Sequence, residues 1–296
     1  MVALELKDLS KTYKGKKFAK ISALNNLSLE ISEGEVFGFI GPNGAGKSTT
    51  IKLIMGLIRP DSGEINILGC PAVKTDARLQ VGYLPENPAF YDFMTAREYL
   101  LFIGQLFNMS DQKIKQQTDH VLEIVTLEEA ADRPIRGYSK GMVQRLGLAT
   151  VLLHDPDLYI LDEPMSGLDP LGRALVKDII KDLRHRGKTV FFSTHITSDV
   201  ELVCDRVGVI MGGRLQAVDR VSTILEQGET GYRIHTTTAK GEARETDISK
   251  DELADFIFRC RTENESVMRV EPRRKDLEAF FLDIIVRGTN ESIKNP

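Results

Sequence analysis

Residues 36–58 read VFGFIGPNGAGKSTTIKLIMGLI. The apolar run at 36–40 ends in glycine, as a buried strand does where it passes into a loop. The loop GPNGAGKST (41–49) fits the pattern G-x-x-x-x-G-K-[ST] from Gly41 to Ser48, and TIKLIMGLI after it suits a helix. That strand–loop–helix context is what the pattern requires. Asn43, Gly44 and Gly46 lie in a loop whose backbone N–H groups are free to wrap a phosphate. The helix N-terminus adds a field worth ~0.3–2 kcal/mol to an anion. Lys47 then reaches the outer phosphates of a nucleotide, the Ser48 hydroxyl binds Mg²⁺, and Thr49 completes the contact set.

LYILDEP (158–164) supplies the second half. Asp162 ends an apolar strand, where a carboxylate holds the shell of a Mg²⁺ ion. Glu163 stands next, placed to orient or deprotonate a water attacking the terminal phosphate. Phosphoryl transfer needs positioning and charge neutralisation more than covalent chemistry. Away from the phosphate loop, the same Asp-Glu pair would read as an ordinary acidic strand end.

The periodicity around these motifs predicts an α/β chain. Leu4 and Leu6, Leu27, Leu29 and Ile31, and Ile65 with Ile67 alternate with polar residues, as half-buried strands do. PDSG (60–63) is turn chemistry before the last of these runs. From about 92 to 155 the period becomes helical. Thr95 with Glu98 forms a capping box ahead of Tyr99, Leu100, Ile103 and Phe107. Ser110 caps a helix carrying Ile114, Val121, Leu122 and Val125. LYILDE and KTVFFSTH (188–195) flank a helix marked by Leu171, Leu175, Ile179 and Leu183, with Gly187 at its C-terminal cap. Strand, helix, strand means a parallel sheet covered by helices. After about 220 the pattern predicts a separate α+β unit. Its strands are GYRIHTTT and SVMRVE, its first helix is SKDELADFIF, and its last helix carries Leu277, Phe280, Phe281, Ile284 and Ile285.

Composition narrows the classes. A chain of 296 residues accommodates one large and one small domain. The formal net charge of -4 argues against a nucleic-acid partner, which usually leaves a basic footprint. Cys70, Cys204 and Cys260 have no CxxC spacing and an odd count, so reduced thiols are expected rather than a disulfide or zinc framework. No signal-peptide run and no stretch of eighteen apolar residues occurs, so membrane action is expected to come through a partner.

The phosphate loop, YSKGM (138–142), LYILDEP, SGLDP (166–170) and STH (193–195) follow one another in series. The Asn-Lys pair of a common GTPase is absent. In this order the sequence resembles the ATP-binding-cassette (ABC) ATPases over about residues 3–215. The resemblance implies a P-loop NTPase ABC fold: a mixed-sheet core with N-terminal antiparallel strands and a helical subdomain at about 92–155. Boundaries of 1–220 for the cassette and 221–296 for a C-terminal accessory domain follow. It also implies ATP and Mg²⁺ as ligands. Lys47, Glu163 and His195 become the catalytic set, His195 through contact with the γ-phosphate. Tyr13 in SKTYKG becomes the ring stacked on adenine. Ser139 and Gly141 would bind ATP held by a second subunit, and Asp169 would lie in the loop that packs across the dimer. Ser48, Glu86 and Asp162 become the metal set.

Two positions depart from the family pattern. Glu86 in GYLPEN stands where glutamine is usual, and Lys140 and Met142 replace Gly and Gln in the LSGGQ signature. Both departures, with the ending VEPRRKDLEAFFL (270–282), resemble the subgroup that powers type 2 ABC exporters. The expectation is an ATPase subunit that pairs with a second ATPase subunit, a homodimer being favoured. It would work with a separate transmembrane permease, peripheral at the cytoplasmic inner face of the membrane. A non-transport cassette ATPase, an importer ATPase and a nucleotide-binding switch without turnover are the alternatives.

Overall fold

The computed structural model describes residues 1–14, 20–227, 229–238, 241–274, 277–282 and 284. Two compact units divide at Val218/Asp219.

The first unit opens with strands β1 (Val2–Lys14), β2 (Lys20–Ser32) and β3 (Val36–Ile40), then helix α1 (Lys47–Ile54). Strands β4 (Ser62–Ile67), β5 (Cys70–Pro71) and β6 (Val81–Leu84) precede helices α2 (Ala96–Leu106), α3 (Asp111–Ile124) and α4 (Lys140–Leu152). The unit continues with β7 (Leu158–Asp162), α5 (Pro170–His185), β8 (Thr189–Thr194), α6 (Thr197–Val203), β9 (Arg206–Met211) and β10 (Arg214–Arg220).

Two sheets form. One is four-stranded, in the order β2-β1-β4-β5, with all three pairings antiparallel. The other is six-stranded, in the order β10-β9-β3-β8-β7-β6, and its β9-β3-β8-β7-β6 pairings are parallel. The sequences differ accordingly. β1 and β2 alternate because one face is wet, so Leu4 pairs with Ile31 and Leu6 with Leu29 on the buried side. β3, β7 and β8 are buried at every position, as strands covered on both faces must be. The inward leucines of β1 and β2 join Phe37, Phe39, Ile51 of α1, Ile160 and Phe191 in one continuous core.

The caps expected from the sequence form. Thr95 and Glu98 close a reciprocal capping box on α2, and the Ser110 hydroxyl accepts from the Lys113 N–H on α3. On α5 the buried face is displaced from the expected stripe. Gly172, Val176, Ile179, Ile180 and Leu183 point inward, whereas Leu171 is 80% exposed. Leu171 sits in the first turn, beside the Asp169 cap, and lines an open cleft with it. The sequence pattern does not mark β6, β9 and β10 as strands: β6 is only four residues long, and β10 (RLQAVDR) is mostly polar.

His154 lies just beyond α4 and stacks on Phe107, which caps α2 (ring centroids 3.8 Å apart, 10° between planes). Burial pushes its imidazole down to about 4. That value lies below the unfolded-state value of about 6.5. The unfolded chain therefore takes up a proton between about pH 6.5 and 4 that the folded chain refuses, and stability falls as pH drops through that window. Thermal unfolding of wild type and His154→Leu at pH 7 and pH 5 tests this. The wild type is expected to lose about 2–5 °C more than the variant, its remaining exposure moderating the effect. Equal losses would remove His154 from the acid response.

The second unit contains α7 (Val221–Gln227), β11 (Glu229–Thr237), β12 (Ala243–Ile248), α8 (Leu253–Thr262) and β13 (Ser266–Arg274). Its sheet has the order β12-β11-β13, all antiparallel. Ile234 and Ile248 pack against Phe256 and Cys260 of α8. Residues 277–282 are helical with Leu277 buried; Ile285 of the expected stripe lies outside the described residues. The strand β12 went unread because ARETDI carries a single large apolar residue.

Candidate functional site

The loop between β3 and α1 sets the first half of the site. Gly44 and Gly46 have φ of +79° and +118°, the left-handed region where a side chain would be strained. A Cβ on Gly46 would also stand 2.8 Å from the Ala23 carbonyl oxygen, so the loop lies against β2. The Lys47 ammonium donates to the Gly41 carbonyl at 2.6 Å and stands 3.7 Å from Glu163 Oε1. Burial pulls its pKa below the ordinary lysine value, while the carboxylates of Glu163, Asp162 and Glu86 act the other way. Thr50 turns its hydroxyl back to the Gly46 carbonyl. The hydroxyls of Ser48 and Thr49 have no hydrogen-bond partner among the described residues and border the cleft above the loop. This cleft, about 340 Å³, is lined by Ala23, the loop from Pro42 to Thr49, Glu86 and Glu163.

Strand β7 carries the acids into place. Asp162 is buried and accepts a hydrogen bond from the Ser193 hydroxyl on β8. Glu163 follows with φ of +49°, rare for a residue with a side chain and costing about 1–3 kcal/mol. Its N–H donates to the Ser193 carbonyl and hydroxyl oxygens, both at 3.1 Å, which pins the strained turn. The turn brings both carboxylate oxygens within 3.0–3.1 Å of His195 Nδ1. His195 comes from the end of β8 with its side chain 54% exposed. Thus Lys47, Glu163 and His195 converge, with Asp162 and Glu86 beside them.

The donors fit a hard cation. A serine hydroxyl, the strand-end carboxylate of Asp162 and an exposed carboxylate at Glu86 are the oxygen ligands that Mg²⁺ takes when phosphates and water complete its shell. The backbone loop with Lys47 fits the phosphates themselves.

A second cleft, about 870 Å³, is lined by Ser139, Lys140, Gly141, Gly167, Leu168 and Asp169 among others, and it shares no lining residue with the first. Ser139 caps α4 by accepting from the Met142 N–H at 3.3 Å. Asp169 caps α5 by accepting from the Gly172 N–H at 2.9 Å. Lys140 lies across Gly167, where an added Cβ would meet its methylenes at 2.6 Å. Tyr13 stands near the open end of the β1–β2 pair, opposite Ile21, partly exposed and outside the lining of the phosphate cleft.

Ser193 and Gln144 were not singled out from the sequence. Ser193 organises both acids, and Gln144, buried on α4, donates to the Pro164 carbonyl just after Glu163 at 3.1 Å. A polar residue inside an apolar strand was the one available signal for Ser193.

Comparison with known proteins decides the family. The ABC transporter family model matches residues 24–166. A Nod factor export ATP-binding protein of Rhizobium etli is 40% identical over 97% of this chain and 94% of its own length. The chain belongs to the ABC transporter family. An uncharacterized ABC transporter ATP-binding protein of Synechocystis sp. is 43% identical over 76% of this chain, and the match spans 64% of that protein. Among solved structures, a dimeric post-hydrolysis ATP-binding cassette bound to ADP and phosphate is 27% identical, with a TM-score of 0.68 over 74% of this chain and 98% of the other. This chain is accordingly an ABC ATPase, the ATP-binding subunit of a transporter, built on the P-loop ABC fold.

Proposed function

We propose that this ABC subunit powers an exporter by closing on ATP with a second cassette subunit and reopening after hydrolysis. The observation that carries the reading is the division of the machinery. The phosphate loop and Glu163 border one cleft, with His195 against Glu163, and Ser139, Gly141 and Asp169 border another. A nucleotide seated on the loop meets the second set only if another chain brings it.

In this mechanism the loop N–H groups and Lys47 hold the β- and γ-phosphates. Ser48 and Asp162, with Glu86, hold Mg²⁺, which would neutralise charge on the phosphate oxygens. Glu163 accepts the proton of the attacking water. His195, oriented by the Glu163 carboxylate, donates toward the γ-phosphate. Tyr13 stacks on the adenine. Export is favoured by the Nod factor relative and by the departures at Glu86 and Lys140, and two identical subunits are the simplest assembly.

No helix among the described residues is long and apolar enough to cross a membrane. The membrane part of the transporter is assigned to a separate permease, with this subunit at its cytoplasmic face. The surface proposed for that contact follows Glu86: Tyr91, Phe93 (72% exposed) and Phe102 form an aromatic patch with Leu101 and Leu106. Contiguous exposed apolar groups of this kind mark interaction sites.

Gly141 supplies a direct test. A Cβ there would meet only Leu168, at an ordinary 3.6 Å, so the subunit's own fold does not require glycine. Gly141→Ala is expected to fold and to bind ATP at Lys47 as wild type does. Its hydrolysis is expected to fall about tenfold or more, because the methyl intrudes where the partner's nucleotide docks. Calorimetric ATP titration and phosphate release measure the two properties. Hydrolysis at the wild-type rate would remove Gly141 from the shared site.

A further inference from the structure

His195 is held against Glu163 by a segment that leads straight into α6. That helix has only seven residues and no side-chain cap at Ile196, so its place depends on tertiary contacts. Toward the sheet, Val200 packs on Gly38 so closely that a Cβ at position 38 would stand 2.8 Å from a Val200 methyl. Toward α5, one oxygen of the buried Asp199 carboxylate accepts a hydrogen bond from Arg173 at 2.7 Å, and the other lies 2.9 Å from the Lys177 ammonium as an ion contact without hydrogen-bond alignment. Asp199 is 1% exposed, and its two partners lie one turn apart on α5.

The ends of this ion triad are well placed. The Arg173 N–H donates to the Asp169 carbonyl at 2.9 Å, so Arg173 is one turn from the residue that borders the second cleft. The Asp199 N–H donates to the Ile196 carbonyl at 3.3 Å, so Asp199 is one turn from the residue that follows His195. A buried ion pair is a weak source of stability, because desolvating the charges offsets most of their attraction and apolar groups often serve as well. A carboxylate held by two cations does supply a defined geometry, which apolar packing specifies less tightly.

Resting on the roles given above to Glu163 and His195, we infer that Asp199 is a positioning residue that sets His195 against Glu163 and ties that contact to the Asp169 loop. The approach of a second cassette at Asp169 is then felt at the hydrolytic pair through two helical turns and one buried carboxylate. Neither Asp199 nor its two partners borders the phosphate cleft, so the effect falls on turnover and not on nucleotide affinity.

The test is a double-mutant cycle on kcat in the full chain: wild type, Asp199→Asn, His195→Ala and the combination. Phosphate release at saturating Mg-ATP is followed for hours so that slow variants register. Affinity is measured separately with a fluorescent ATP analogue. Asp199→Asn is expected to lower kcat about 10- to 100-fold, the scale of a small misplacement of a catalytic group, with affinity changed less than about twofold. In the His195→Ala background it is expected to cost nothing further, since coupled residues are not additive. Asp199→Glu is expected to restore part of the rate. Multiplicative losses, or wild-type kcat in folded Asp199→Asn, would overturn the inference.

If Asp199→Asn does not fold, the combination Arg173→Met, Lys177→Met and Asp199→Leu keeps the packing and removes all three charges. It is expected to melt near wild type yet show the same loss of kcat; full kcat in it overturns the inference equally. Failure of the underlying reading has a different signature, because Glu163→Gln would then hydrolyse ATP as fast as wild type.

Discussion

Glu163→Gln is expected to bind ATP as wild type does, to hydrolyse it at least ~100-fold more slowly, and to accumulate as a dimer in Mg-ATP. Removing a positioned general base costs about 10²–10⁴ in rate. The amide keeps the size of the carboxylate and its reach to His195 Nδ1, 3.0 Å away, so the pair's geometry survives while its proton acceptor is lost. The change also removes a negative charge beside the Lys47 ammonium and the proposed γ-phosphate position, which favours the nucleotide-bound state. Size exclusion with and without Mg-ATP reads the second consequence. A shift to twice the mass only with ATP supports a homodimer closed through Ser139 and Gly141. A monomer at saturating ATP would leave two possibilities, a different second chain or a closed state that needs the permease. Hydrolysis at the wild-type rate would show that the assigned base is wrong.

Lys47→Ala is expected to lose both functions together. The ammonium is almost fully buried, gripped by the Gly41 carbonyl and close to Glu163. Burial lowers its pKa, and the surrounding carboxylates oppose that shift. A phosphate at this place would add to the carboxylates' favouring of the charged form and so offset the effect of burial. Charge-assisted hydrogen bonds contribute about 1.5–3 kcal/mol, so ATP affinity is expected to fall roughly 10- to 100-fold. Loss of the same charge in the transition state removes about a further 10²–10³ from kcat. Calorimetric titration and phosphate release separate the two effects. Wild-type affinity in this variant would place the triphosphate elsewhere. The contrast with Glu163→Gln, which retains binding, distinguishes holding the phosphates from attacking them.

Much of this molecule was legible before any coordinates. The phosphate loop, the acids at the end of β7 and the capping residues Thr95 and Ser110 are local features. Each depends on neighbours within a few residues, and backbone sterics and hydrogen bonding act at that range. The alternating leucines of β1 and β2 and the unbroken apolar runs of β3, β7 and β8 likewise stated which strands are wet on one face and which are covered on both.

Other features came only from the folded chain. No spacing in the sequence brings Ser193 to Asp162 and Glu163 from thirty residues away, or sets Glu163 at a positive φ opposite His195. Nor does it show Asp199 buried between Arg173 and Lys177, or separate the cleft of Ser139 from that of Lys47. The exposure of Leu171 on a helix whose periodicity pointed it inward belongs with these. Local sequence decides backbone conformation and which residues prefer to be dry. Which distant side chains meet is decided by how the helices close over the parallel sheet, and the charges and strain at the hydrolytic pair exist only in that closed arrangement.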